Sequence, residues 1–226
     1  MALYAIGDTH LSLASNKSME VFGTGWENYV ERLRSGFSGV TDQDTVVLCG
    51  DLSWAMSLEE AEQDFAFLDH ELPGEKWLLK GNHDYWWATA AKMDAFFRGK
   101  GFTHLHILHN NCGLYQEVAL CGTRGWFYEE QGSRKVFDRE LMRLEASLKA
   151  AGRREKLAFL HYPPLYKGYC CQEIVDLLER YAVRTCCYGH LHGPSHRLAL
   201  QGLYGSVDYR LVAADFIGFC PKKILD

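Results

Sequence analysis

Five short polar clusters hold the residues of this chain that could do chemistry: Gly7-Asp8-Thr9-His10, Gly50-Asp51, Gly81-Asn82-His83-Asp84, the single His161, and Gly189-His190-Leu191-His192. Carboxylate, imidazole and amide carbonyl are the donors that suit a pair of divalent or transition ions, and the lack of thiolates disfavours a soft cluster or a thiolate zinc site. Taken singly, each cluster has a bland reading. Asp8 and Asp51 could be turn formers, Asn82 a left-handed turn residue, and His161, ahead of Tyr162-Pro163-Pro164, a hydrogen-bonded loop histidine. Their shared placement is what gives them weight.

Each cluster directly follows a short apolar run of strand type, at residues 2–6, 45–49, 76–79, 157–160 and 185–188, with further strand-like runs at 118–121 and in the tail 197–216. Helical periods lie between them. Trp26, Val30, Leu33 and Phe37 form one; Leu58, Ala61, Phe65, Leu68 and Leu72 form another, opened by a Ser57/Glu60 capping box and closed by Pro73-Gly74. Phe137, Leu141, Leu144 and Leu148, then Ile174, Leu177, Leu178 and Tyr181, mark two more. Alternating strands and helices predict a layered α/β core, and open α/β sheets build their sites just past the carboxyl ends of strands. In four of the five clusters a glycine precedes the polar residue, as suits a tight turn or a close backbone approach.

The composition narrows the class. At 226 residues, with 47% hydrophobic and 23% charged residues, the chain predicts one globular domain over residues 1–226. No apolar run approaches the roughly 20 residues of a membrane span, so no membrane partner is expected. The net charge is −5 and there is no run of five like charges, so nucleic acid is not expected as a partner either. The N-terminus reaches Asp8 without a basic region, which predicts a cytoplasmic protein. The eight cysteines include no C-x-x-C pair, and Cys49, Cys121, Cys186 and Cys187 sit in apolar runs, which predicts buried free thiols.

In order and spacing the clusters resemble the signature of the calcineurin-like metallophosphoesterase superfamily, which runs D-x-H, G-D, G-N-H-[DE], H and G-H-x-H. The matches run from Asp8 to His192 and so span most of the chain. A block such as G-N-H-D arises by chance in roughly one chain in a thousand of this length at average residue usage. The segments 17–23 and Gly122-Thr123-Arg124-Gly125-Trp126, with Arg139-Glu140, look like a bacterial subgroup known as predicted phosphohydrolases.

The resemblance implies a four-layer sandwich of two mixed β-sheets flanked by α-helices, and a site for two ions, manganese, iron, zinc or nickel. Asp8, His10 and His192 would hold one ion, Asn82, His161 and His190 the other, and Asp51 would bridge them. Sharing an anion is what lets two cations sit ~3.5–4 Å apart, and the pair would lower the pKa of a bridging water to give the nucleophile for in-line attack on phosphorus. His83 would protonate the leaving group, with Asp84 orienting its ring or raising its pKa. The implied substrate is a small or medium phosphoester, of a small molecule or nucleotide, more a diester than a phosphoprotein, and oligomeric state is left open. The family's protein phosphatases carry an arginine after G-D, in G-D-x-x-D-R-G, where this chain reads Gly50-Asp51-Leu52-Ser53-Trp54-Ala55-Met56. Arg124 is either a replacement phosphate clamp or a surface arginine. Rival readings are a nuclease, a non-phosphate ester hydrolase, and a protein-interaction scaffold that keeps the fold.

Other candidates take structural readings. His104 and His106 fall on one face of a strand, with no carboxylate nearby in sequence, and His70 and His196 belong to no motif. Lys17 and Phe22 in one loop, and Trp126, Phe127, Tyr128, Arg134 and Lys135 in another, are candidates for the pocket rim. Trp86 and Trp87 read first as helix packing and second as a wall of the site.

Overall fold

The computed structural model describes residues 1–15, 17–126 and 134–226. The first sheet is built from β1 (Leu3–Ile6), β2 (Thr45–Leu48), β3 (Glu75–Leu78) and β4 (Leu105–Ile107). All four are parallel, and the C-terminal strand β13 (Lys222–Leu225) closes the edge antiparallel to β1. The second sheet has the order β11-β12-β10-β7-β6-β5. Its parallel centre is β6 (Val118–Thr123), β7 (Lys156–Leu160), β10 (Val183–Tyr188) and β12 (Val207–Leu211), with β5 (Cys112–Tyr115) and β11 (Gly202–Tyr204) as antiparallel edges. The pair β8 (Leu165–Tyr166) and β9 (Tyr169–Cys170) forms a separate small hairpin.

Strict alternation along the strands makes the layers. Val47, Cys49, Leu120, Leu157, Phe159 and Cys187 point into a core shared by the two sheets. Their neighbours Val46 and Leu48 face outward onto α1 (Tyr29–Gly36), α2 (Glu62–Ala66) and α3 (Ala90–Lys100), while Cys121, Ala158, Leu160 and Cys186 face α4 (Arg134–Ala150) and α5 (Gln172–Arg180). The result is helix, sheet, sheet, helix, the mixed two-sheet sandwich expected. All eight cysteines are free, and the four in apolar runs are buried.

The differences from expectation are local. The Ser57/Glu60 cap is made, with the Glu60 carboxylate turned back to the Met56 amide, but residues 58–61 form turns, the second helix begins only at Glu62, and it widens into a π turn over Phe67–Glu71. Helix α3 was not foreseen; only Met93 and Phe97 of it are buried, too few to print a period. Trp86 and Trp87 belong to the loop before α3 and not to a helix. Glu75 supplies the carboxylate that His104 and His106 lack in sequence, taking their ring nitrogens at 2.7 and 2.6 Å across the β3–β4 pair. This pairing is a partly exposed clip on the sheet surface.

One contact joins the sheets at the end where the clusters lie. The Gly7 amide donates to Val212 O at 2.8 Å and the Ala214 amide to Gly7 O at 3.0 Å, so the segment after β1 pairs with the segment after β12. The carboxyl ends of both parallel sets therefore face one place.

Candidate metal centre

Asp8, His10, Asp51, Asn82, His161, His190 and His192 converge there. Asp8 and His161 are fully buried, His10 and Asp51 almost so. Four of them, Asp8, His10, Asp51 and His190, hold positive φ angles of 60°, 45°, 52° and 72°. Non-glycine residues in this region cost energy that the surrounding structure must supply, and such residues concentrate where side chains have to be aimed. The glycines ahead of them serve the same end by omission. A Cβ on Gly81 would overlap the carboxylate and amide of Asp51, and one on Gly189 would overlap the carboxylate of Asp8.

Asp51 is the centre of the group. Its Oδ1 accepts the His83 amide at 2.7 Å, which leaves Oδ2 between two imidazoles, 3.8 Å from His10 Nε2 and 3.6 Å from His161 Nε2. Asp8 accepts the His190 amide on both oxygens at 3.1 and 3.0 Å, and its Oδ1 lies 3.4 Å from His192 Nε2 and 3.7 Å from His161 Nδ1. Burial, then the neighbouring Asp84 and Asp8 carboxylates, pushes Asp51 well above the usual carboxylate range. Burial holds His161 and His190 down to about 3, so both are neutral and carry a lone pair.

These residues fit metal ions by a test independent of motif. Neutral His161 has one ring N–H, and Nδ1 spends it on the Cys49 carbonyl at 3.1 Å. Its Nε2 then faces Asn82 Oδ1 at 2.6 Å, two acceptors with no proton between them, an arrangement that a shared cation relieves. His10 Nδ1 and His192 Nε2 are buried without a hydrogen-bond partner. Asp8, His10 and His192, and likewise Asp8, Asp51 and His161, bring ligand atoms within 4.8 Å of one another.

Two residues outside the motif set join this part of the site, Asp215, which sequence reasoning passed over, and His196, which it gave a structural reading. Asp215 follows the end of β12, as the motif residues follow their strands, and it accepts from His192 Nδ1 at 2.9 Å and the Gly193 amide at 3.0 Å. His196, which belongs to no sequence motif, lies 3.2 Å from the other oxygen of Asp215. Burial alone would lower His192, but Asp8 and the Asp215 hydrogen bond outweigh it and raise the ring to about 10. A carboxylate behind a ligating histidine fixes its tautomer, so Asp215→Asn is expected to weaken metal binding about 10–100-fold, read by competition with a chromophoric chelator. Unchanged affinity would remove Asp215 from the site.

Asp84 does not do what was expected of it. Its carboxylate accepts the amides of Gly81 (2.7 Å), Asp51 (2.9 Å), Leu52 (2.8 Å) and Ser53 (3.3 Å) and the indole N–H of Trp86 (3.0 Å). With its oxygens so engaged it cannot orient the His83 ring; it ties the loop after β2 to the loop after β3. His83 Nδ1 instead meets the Tyr85 hydroxyl at 3.3 Å, and burial, then His192, lowers the His83 pKa where Asp84 was expected to raise it. Trp86 accordingly stands behind the site and not in its wall.

The open side is a cavity of about 310 Å³ bounded by His10, His83, His192 and the apolar Met19, Phe22, Trp26 and Trp54. Trp54 stacks on His10 with ring centres 5.0 Å apart, and its indole N–H reaches Met19 Sδ at 3.3 Å. Of the expected rim, Phe22 is present, whereas Lys17 does not line the cavity. Trp126 is buried against Phe137, Arg134 pairs with Asp138 and Glu173, and Phe127 and Tyr128 lie outside the described residues. Arg124 lines a different cavity, with its guanidinium 5.6 Å from the Tyr162 ring centre.

Residues 1–194 match the family described as calcineurin-like phosphoesterase. Among solved structures, the fold is similar to a protein of unknown function, AQ665, from Aquifex aeolicus, at 12% identity and a TM-score of 0.54, covering 98% of this chain and 95% of that one. It is also similar to TT1561 of Thermus thermophilus, at 15% identity and a TM-score of 0.55, covering 84% of this chain and 81% of that one. No curated protein is a significant match. No helix among the described residues is long and apolar enough to cross a membrane.

Proposed function

The chain belongs to the calcineurin-like phosphoesterase family, and from that premise we propose that it hydrolyses a small phosphoester, a diester or monoester of a small molecule or nucleotide. The observation that carries this reading is the position of Asp51 Oδ2 between the rings of His10 and His161, beside a group in which Asp8, His10 and His192 bring ligand atoms within 4.8 Å of one another. Asp8, His10 and His192 would hold one ion, Asn82, His161 and His190 a second, and Asp51 would serve both. Bound there, the ions supply an activated water and neutralise charge on the phosphoryl oxygens.

The chain's own groups do the rest. His83 borders the cavity and is the residue available to give a proton to the departing oxygen; the negative phosphoryl group itself would raise its pKa toward neutrality. Trp54, Trp26, Met19 and Phe22 form an apolar wall for the organic part of the substrate. Among the described residues, that wall carries no lysine or arginine, which favours a small ester over a nucleic acid strand.

The test is hydrolysis of aryl phosphomonoesters and phosphodiesters by metal-stripped protein reconstituted with manganese, iron or zinc. Metal-dependent turnover is expected, with Trp54→Ala raising KM for an aryl ester about 3–10-fold through lost ring contact. Absence of turnover with every metal would leave the scaffold reading, and salt-sensitive cleavage of DNA would favour the nuclease.

A further inference from the structure

A second cavity lies between the ends of β3, β4 and β6 and the first turns of α4, and the functional reading above does not use it. It measures about 100 Å³ and is lined by Lys80, His109, Thr123, Arg124, Glu140 and Arg143. At about 30 Å³ per water it has room for a few waters, and so for an oxyanion but not for a nucleobase.

Its charge is unbalanced. Among the described residues, Glu140 is the one carboxylate in the lining; it is buried, one oxygen takes the Thr123 hydroxyl and the other Arg143 at 3.1 Å. Lys80 and Arg124 are half-buried, and among the described residues neither has an ion-pair partner. Two half-buried cations held together, with the nearby carboxylates of Glu140 and Asp84 among the described residues already engaged, make a site that an anion stabilises. The cavity also adjoins the metal centre through the backbone. Lys80 is two residues before Asn82, and the Arg124 carbonyl accepts the amides of His161 and Tyr162 at 3.1 and 2.9 Å.

We propose that this cavity binds a tetrahedral oxyanion beside the Asn82 and His161 side of the centre, and that in turnover it takes a second phosphoryl group of the substrate. This assignment of substrate class rests on the phosphoesterase reading; anion binding by Lys80 and Arg124 does not. The substrate would then carry two anionic groups, one hydrolysed and one held by Lys80 and Arg124. Arg124 acquires a role distinct from a clamp on the scissile phosphate.

The first arm of the test uses metal-stripped protein titrated calorimetrically with inorganic phosphate and with methylene bisphosphonate. Saturable binding is expected, weakened about tenfold or more in Lys80→Met and Arg124→Gln and unaffected by Arg153→Gln on the exposed turn after α4. Arg143→Gln is expected to weaken binding too, and because Arg143 pairs with the buried Glu140, melting curves of the three variants verify that each is folded at the titration temperature. The second arm compares kcat/KM of metal-loaded enzyme for an aryl phosphate and for its analogue bearing a second phosphoryl group. A preference for the analogue that collapses in Lys80→Met and Arg124→Gln supports the substrate's own group as the occupant. Activity modulated by free phosphate, with no such preference, would overturn the substrate assignment in favour of free phosphate as occupant. Binding unchanged in all three basic variants overturns the site itself. Absence of any metal-dependent turnover would defeat the functional reading while leaving the calorimetric result to stand alone.

Discussion

Asp51→Asn is expected to lower turnover about 10³-fold or more and to reduce bound metal below two ions per chain. The amide can still accept the His83 N–H, so the loop keeps its shape, but the position between His10 and His161 loses its negative charge. Loss of several kcal/mol of ion and transition-state stabilisation corresponds to that factor, at about 1.4 kcal/mol per tenfold. Stability of the metal-free protein should move the other way. The folded Asp51 has a raised pKa, through burial and then the Asp84 and Asp8 carboxylates, so its favourable contribution is complete only below the ordinary carboxylate range and is lost as pH rises through the folded value. At neutral pH the metal-stripped asparagine variant should therefore melt higher than metal-stripped wild type, and the gap should close on acidification. Elemental analysis, kinetics and calorimetry read the three effects separately. Full metal content with full activity would refute the shared-ligand role.

Asp84→Asn is expected to be at least as damaging, for a different reason. The carboxylate collects five N–H donors from two loops, whereas an amide turns one of those acceptors into an NH₂ that faces donors. Hydrogen bonds to a charged group are worth about 1.5–3 kcal/mol each, and leaving two or more buried amides unsatisfied predicts a loss of about 3–5 kcal/mol. The melting temperature should fall, and metal binding with it, because Asp51 and Asn82 are aimed by the loops Asp84 joins. A variant as stable as wild type, altered only in its pH–rate profile, would return Asp84 to a role on His83.

The sequence made the strand-end rule legible because it depends on nearest neighbours: an apolar run, often a glycine, and a donor side chain. Gly81 and Gly189 are where that reasoning had most physical content, since in space each is the gap that another strand's carboxylate occupies. Asp84 was misread because adjacency to His83 suggested a partnership that the chain's turn does not permit. Asp215 obeys the same rule as the motif residues but lies in the tail, where only a strand-rich stretch was resolved by pattern. His104, His106 and Glu75 show the general limit: their pairing is set by strand register between β3 and β4, which is invisible along a single sequence. Trp54 was noticed only as something other than an arginine, and its position against His10 depends on how the loop after β2 folds back.

The joint between the two sheets at Gly7, Val212 and Ala214 has a consequence for assembly. The first half of the chain contributes Asp8, His10, Asp51 and Asn82, and the second contributes His161, His190, His192 and Asp215, so neither half owns a complete coordination set. Ion affinity and the docking of the halves are then two sides of one thermodynamic cycle, each strengthened by whatever strengthens the other. Ions would act as a fastener across the seam, added to the shared apolar core and to the pairing of β13 with β1, so that metal loading tightens a union the backbone has already made.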